Sequence, residues 1–167
     1  MNTGLLVGRV VLGLLMAGHG AQKLFGWFGG YGLNGVAGFF ESLGFRPGRF
    51  FALTAALAEM TGGMLVALGL FGPVGPALIV SVMIVAAVSV HLANGVFGAN
   101  GMELPILYGA VAAALTLTGP GAYSIDALAG IDRIWTPEFA GIALAIGVLG
   151  GVVNLVLRRN APHAVAA

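Results

Sequence analysis

The sequence predicts an all-α, polytopic membrane helix bundle, and three observations carry that prediction. Hydrophobic residues make up 59% of the chain and charged residues 8%, against roughly 25% charged in soluble domains. Mean hydropathy is +1.01. The apolar residues gather into long runs, and a backbone crossing lipid must satisfy its own hydrogen bonds, which a helix does within one segment.

About 20 apolar residues cross the hydrocarbon core as a helix. The first candidate, Leu5 to Leu24, has no basic stretch before it and carries Arg9 inside, so it is expected to be a retained span rather than a secretory signal. After it, Phe25, Trp27, Phe28 and Tyr31 suit an interfacial anchor. Leu33, Val36, Phe40 and Leu43 then recur at helical spacing, with Asn34 and Glu41 on other faces. This predicts a short amphipathic helix near 33–44, lying in the interface.

The second and third spans are Phe51 to Phe71 and Val74 to Ala93. Phe71-Gly72-Pro73-Val74-Gly75-Pro76 lies between them and predicts a tight antiparallel hairpin, because proline lacks the amide donor and glycine frees the turn. The fourth, Leu104 to Leu117, is the shortest, beginning at Met102 or Glu103 and ending near Thr118-Gly119-Pro120-Gly121. The fifth, Phe139 to Leu157, follows Trp135 and Pro137, where the indole suits an anchor at the outer surface. The expected organisation is a membrane bundle over 1–130, an additional transmembrane helix over 131–160 and a short tail over 161–167.

Orientation follows the basic residues near span ends. Lys23, Arg46 and Arg49 fall in the first connection and Arg158 and Arg159 after the fifth span, whereas Gly119 to Glu138 holds Asp126, Asp132 and Glu138 against Arg133. Five spans, with the amino end outside and the carboxyl end cytoplasmic, put both basic clusters on the inner side.

Other features exclude whole classes of function. A net charge of +1 provides no extended basic face, so nucleic acid is not an expected partner. The absence of cysteine excludes a thiolate nucleophile and a cysteine-ligated cluster, so any thiol chemistry belongs to a partner. Gly30-Tyr31-Gly32-Leu33-Asn34-Gly35 matches G-x-G-x-x-G, but that fingerprint needs a preceding strand, and here a membrane helix precedes it. Gly4 with Gly8 and Gly147 with Gly151 form small-xxx-small pairs expected to let helices approach, within the bundle or between copies of a homo-oligomer.

The ionisable residues inside this apolar chain are the candidate site. Charge in the hydrocarbon is costly, so such groups face one another or a wet cavity. At 100° per residue, Arg9, His19 and Lys23 share one face of the first helix, each of the outer two roughly 40° from Lys23. Glu59 of the second span is the natural counter-charge, because it is too deep to reach the interface and needs a partner or a proton. His91 near the inner end of the third span and Glu103 at the start of the fourth are expected at a similar level, with Asn94 and Gln22 adding hydrogen-bonding groups and Tyr108 a flat aromatic surface. Each end residue also has a plain reading: Arg9 and Lys23 as snorkelling side chains, Glu103 as a helix-start carboxylate. No metal site is expected. Haem ligation by His19 and His91 is the weaker alternative, since two histidines without a spacing signature specify little.

These landmarks also occur in a recognisable order. Arg9, the string Gly18-His19-Gly20-Ala21-Gln22-Lys23-Leu24-Phe25-Gly26, Gly38-Phe39-Phe40-Glu41-Ser42-Leu43-Gly44, Glu59 with Gly62-Gly63, His91 with Asn94-Gly95, Glu103, and Thr118-Gly119-Pro120-Gly121-Ala122-Tyr123-Ser124-Ile125-Asp126 together resemble the DoxX family of bacterial membrane proteins. The resemblance covers Leu5 to Leu128 and implies a four-helix core in the cytoplasmic membrane, to which the segment after Ile131 adds a fifth span. It further implies links to thiosulfate oxidation with quinone as acceptor, and to assemblies with a superoxide dismutase and a thiosulfate sulfurtransferase.

The leading functional expectation is a membrane subunit of a redox or sulfur and oxidative-stress system. Its inward-facing pocket, built from Arg9, His19, Lys23, Glu59, His91, Asn94 and Glu103, would bind a quinone-like ligand or couple protons. No residue is assigned a catalytic role and no electron carrier is evident, so the chain reads as part of an oxidoreductase complex. The alternative is a scaffold in the bilayer that recruits soluble redox or sulfurtransferase proteins. A small-solute transporter is disfavoured by the lack of an evident inverted repeat.

Overall fold

A computed structural model describes residues 2–159, and the tail expected at 161–167 lies outside the described residues. Among the described residues all regular secondary structure is helical. Helix α1 spans Asn2–Phe25, α2 Gly32–Ser42, α3 Gly48–Leu68, α4 Val74–Ala86, α5 Glu103–Thr118, α6 Ile125–Ala129 and α7 Pro137–Val156. Helix α4 continues without a break through a π-helical turn, Ala87–His91, and a 3-10 turn, Leu92–Asn94. The rod Val74–Asn94, together with α1, α3 and α7, is long and apolar enough to cross a membrane. Helix α5 is the shorter fifth member, 16 residues, or about 24 Å of rise.

These five helices alternate in direction. At one end, Asn2 Oδ1 accepts from the Ala122 amide, the Gly69 carbonyl that follows α3 accepts from the Asp126 amide, and the Trp135 indole lies on Gly72 just before α4. At the other end, the Arg159 amide after α7 donates to the Gly44 carbonyl after α2 at 2.9 Å, and the Arg158 side chain donates to the Leu43 carbonyl. The two are called here the Trp135 end and the Lys23 end. Helix α6 sits in the Gly119–Thr136 connection, where Ser124 Oγ caps it by accepting from the Ala127 amide at 3.1 Å. Thr136 accepts from the Phe139 amide at the start of α7, with Pro137 at a first-turn position where its missing N–H costs nothing.

Small residues set the packing. A Cβ at Gly13 of α1 would lie 2.5 Å from the Gly63 carbonyl oxygen of α3, and one at Gly20 2.6 Å from Met60. Helices α1 and α3 therefore meet backbone to backbone, where dispersion and close fit replace the hydrophobic drive that lipid removes. Gly62 and Gly75 bring α3 and α4 together in the same way. Gly147 and Gly151 press α7 onto Ala77 and Ile84 of α4, so the fifth span is laid along the bundle rather than appended to it. Between the helices, Met16, Val66, Ile79, Met83 and Leu115 form the apolar centre.

One expected pair behaves differently. A side chain at Gly4 or Gly8 would meet nothing within 4 Å, so these glycines do not bring helices of this chain together. They lie too near the start of α1, and the close approach falls instead at Gly13 and Gly20. The amphipathic helix expected near 33–44 appears as α2, packed on α3 and α1 at the Lys23 end with Val36 buried. The G-x-G-x-x-G stretch leads from a 3-10 turn into α2, and Gly30 lies against the Gln22 backbone with no room for a side chain.

Placing valine at Gly63 should overpack the α1–α3 seam and destabilise the bundle by at least about 1–3 kcal/mol. Valine at Gly8 should leave the unfolding midpoint in detergent close to that of the parent chain.

Candidate functional site

Two buried polar clusters occupy opposite ends of the bundle. At the Trp135 end, Arg9 is only 3% exposed. Its guanidinium donates to the Ala67 carbonyl at 2.9 Å and to the Tyr123 carbonyl, while its Nε has no partner among the described residues. The last carbonyls of a helix lack intrahelical donors, and a cation there also meets the negative end of the dipole. Arg9 thus terminates α3 just where Gly69 turns left-handed at φ 64°. Asp126, fully buried, is its counterpart on the far side of the turn. Its carboxylate accepts from the Phe71 and Gly72 amides at 2.9 and 2.6 Å and from the Trp135 indole at 2.8 Å. A cation at the end of α3 and an anion just before α4 hold the hairpin between them.

At the Lys23 end lies a cavity of about 670 Å³. Helix α2 covers it with Val36, Phe39 and Phe40, and α3 contributes Phe51, Ala55 and Ala58. The opposite wall comes from α4 and its π turn, with Asn154 of α7 adding a polar group. Most of this surface is apolar. At its α1–α3 edge, Lys23 Nζ donates to Glu59 Oε2 at 2.6 Å, the lysine side chain 24% and the glutamate side chain 4% exposed. Their facing positions on α1 and α3 follow from the glycine seam, which brings the two backbones close enough for the pair to form. A buried ion pair gains little over apolar packing, but removing one partner strands the other charge.

The residues expected in one pocket divide among several places. Lys23, Glu59 and His91 line the cavity. His19 stands one turn before Lys23 but is not on the wall: its Nδ1 is 3.1 Å from Gln22 Oε1, and its ring faces Tyr108 at 6.3 Å between centroids. Gln22, which does line the cavity, in turn donates to the Phe28 carbonyl. His91 Nδ1 and Asn94 Nδ2 both bond the Asn100 carbonyl, at 2.6 and 3.2 Å, but Asn94 is exposed and off the wall. Glu103 is exposed in the first turn of α5, away from the cavity. Arg9 is at the Trp135 end: sharing a helical face with Lys23 set its direction correctly, but their separation along α1 sends it to the hairpin instead.

Several polar groups of the cavity were not singled out from the sequence. Ser81 and Ser89 of the α4 rod, Thr54 of α3 and Asn154 of α7 all line it. The signal available was a lone amide in an otherwise apolar span, which Asn154 provides; attention to ionisable groups alone passes over it. Asp126 was legible as one acid of its connection and as the close of a landmark string, but nothing local marks it as buried. Among the described residues no three His, Cys, Asp or Glu side chains gather as metal ligands.

The family model described as DoxX matches residues 4–92, which takes in α1 to α4 and the π turn carrying His91. The match ends before α5, α6 and α7. No curated protein and no solved structure matches the chain.

Replacing Lys23 by methionine should strand Glu59 and destabilise the protein by about 3–5 kcal/mol, and adding Glu59→Leu should restore most of that loss. Thermal unfolding of the two variants in detergent measures it. At the other end, Asp126→Ala and Trp135→Phe should each destabilise by at least about 1.5–3 kcal/mol, the range for a hydrogen bond to a charged group. The double variant should cost less than the sum, because both changes remove the same bond.

Proposed function

This chain belongs to the DoxX family, and from that premise we propose that it is the membrane subunit of a redox or sulfur and oxidative-stress system, binding a lipid-soluble, quinone-like ligand at its Lys23 end. The observation that carries the reading is the cavity itself: about 670 Å³, mostly apolar, with one buried ion pair at its edge. That size and lining suit a drug-sized apolar molecule oriented by a few polar groups. Lys23 donates one N–H to Glu59 and keeps the others for an oxygen of the ligand. Glu59 and His19, neighbours across the α1–α3 seam, are the groups through which a proton would reach or leave that oxygen. Electrons, and any thiol chemistry, would come from partner proteins, since the chain has no cysteine.

The basic residues place the cavity in this reading. Lys23, Arg46, Arg49, Arg158 and Arg159 all belong to the Lys23 end, and positive-inside bias makes that the cytoplasmic face of the bacterial membrane. The amino end is then outside. Soluble redox or sulfurtransferase partners would approach from the cytosol, over α2 and the exposed Arg46 and Arg49. Those exposed arginines also favour the second reading, a scaffold that recruits such proteins and leaves the cavity to lipid.

Purification of the full chain in mild detergent, followed by mass spectrometry of everything retained, separates the two. Binding predicts that a quinone-like molecule copurifies with the parent chain and is reduced at least about tenfold in a Val85→Trp variant that fills the cavity, while partner proteins remain. Soluble partners with the same organic extract from both chains would overturn ligand binding and leave the scaffold.

A further inference from the structure

The hydrogen bonds that side chains around the cavity already make limit what its α4 wall can offer a ligand. A backbone carbonyl accepts and never donates, so a side chain bonded to one must supply the hydrogen. Ser89 Oγ lies 2.5 Å from the Val85 carbonyl, which engages its single hydroxyl proton. Thr54 Oγ1 is bound in the same way to the carbonyls of Phe50 and Phe51. Asn154 directs one amide hydrogen to the Gly150 carbonyl at 2.8 Å and keeps both its second amide hydrogen and Oδ1.

His91 follows the same rule with a sharper result. Its Nδ1 is 2.6 Å from the Asn100 carbonyl and must therefore carry the hydrogen. In the neutral ring this leaves Nε2 with a lone pair and no protein partner among the described residues. Glu59, the acid on the cavity wall, is already paired with Lys23, and no ion pair forms at His91 among the described residues. The π turn Ala87–His91 widens the helix here, a distortion often found where a helix meets a ligand.

Two groups on the α4 side, Ser89 Oγ and His91 Nε2, thus remain as acceptors only. Asn154 and the hydroxyls of Ser81 and Tyr31 can serve either way. The committed donors, Lys23 and the second amide hydrogen of Gln22, are on the α1–α3 edge. Resting on the binding role proposed above, we propose that the cavity takes its ligand in a hydroxyl-donating form, a chain-bearing phenol or quinol. The hydroxyl donates its hydrogen to the Ser89–His91 face of α4, and Lys23 serves an accepting oxygen.

The test uses two probes of nearly equal apolar body, 4-decylphenol and its methyl ether 4-decylanisole, which lacks the hydroxyl proton. Each is titrated into the full-length protein in detergent, and occupancy is read by native mass spectrometry. The Val85→Trp variant, checked for an unchanged unfolding midpoint, gives the baseline for probe held by the micelle. The phenol should bind about tenfold more tightly than the ether, and His91→Phe or Ser89→Ala should narrow the gap to about twofold. Equal binding of both probes, or tighter binding of the ether, overturns the donor assignment while leaving a cavity for amphiphiles. A gap that persists in both variants overturns the placement on this wall. Failure of both probes to exceed the baseline overturns the ligand cavity itself.

Discussion

A carboxylate in the middle of an apolar helix is the constraint on which the Lys23 end depends. Glu59 cannot reach an interface from its position on α3, and hydrocarbon would impose on it a cost that no packing nearby offsets. Lys23 resolves this from the neighbouring helix, at 2.6 Å. That solution works only because Gly13, Gly20 and Gly63 let the two backbones touch, so the packing motif and the charge pair are one device. It also fixes the character of the cavity, which is apolar in bulk but carries at one edge two opposite charges already neutralising each other.

The Trp135 end solves a different problem with the same currency of charge. There the requirement is to close a hairpin with few residues while leaving no backbone group unsatisfied in a nonaqueous setting. Arg9 takes the carbonyl left over by α3, and Asp126 takes the amides ahead of α4. The two ionised side chains come from segments far apart in sequence, which ties the start of α1 and the α5–α7 connection to one turn. Both ends therefore bury charge, but one does so around a void and the other around backbone.

The helices were readable from the sequence because a span has a length and a composition, and both are local properties. Leu5 to Leu24 became Asn2–Phe25, and Phe139 to Leu157 became Pro137–Val156, with boundaries moved by capping residues such as Thr136 and Gly69 rather than by hydropathy. The pairing of Lys23 with Glu59 was also within reach, since one face and one counter-charge sufficed. What escaped was position along the helix axis combined with contacts from distant segments. Arg9 shares its face with Lys23 but serves Ala67 and Tyr123, and Asp126 acquires its meaning only when the hairpin arrives beside it. The polar wall of the cavity escaped for another reason: Ser89, Thr54 and Asn154 carry no charge, and each is engaged by a carbonyl of its own helix, so nothing in the apolar pattern marks them.

The bond between the Arg159 amide and the Gly44 carbonyl, seconded by Arg158 on Leu43, reaches beyond local stability. Helix α2 is joined covalently to α1 and α3, and through these bonds it is also fastened to the terminus of α7. A displacement of the last helix would therefore be transmitted to the ceiling of the void. A segment outside the matched residues 4–92 thus has mechanical leverage over the helix that roofs the void.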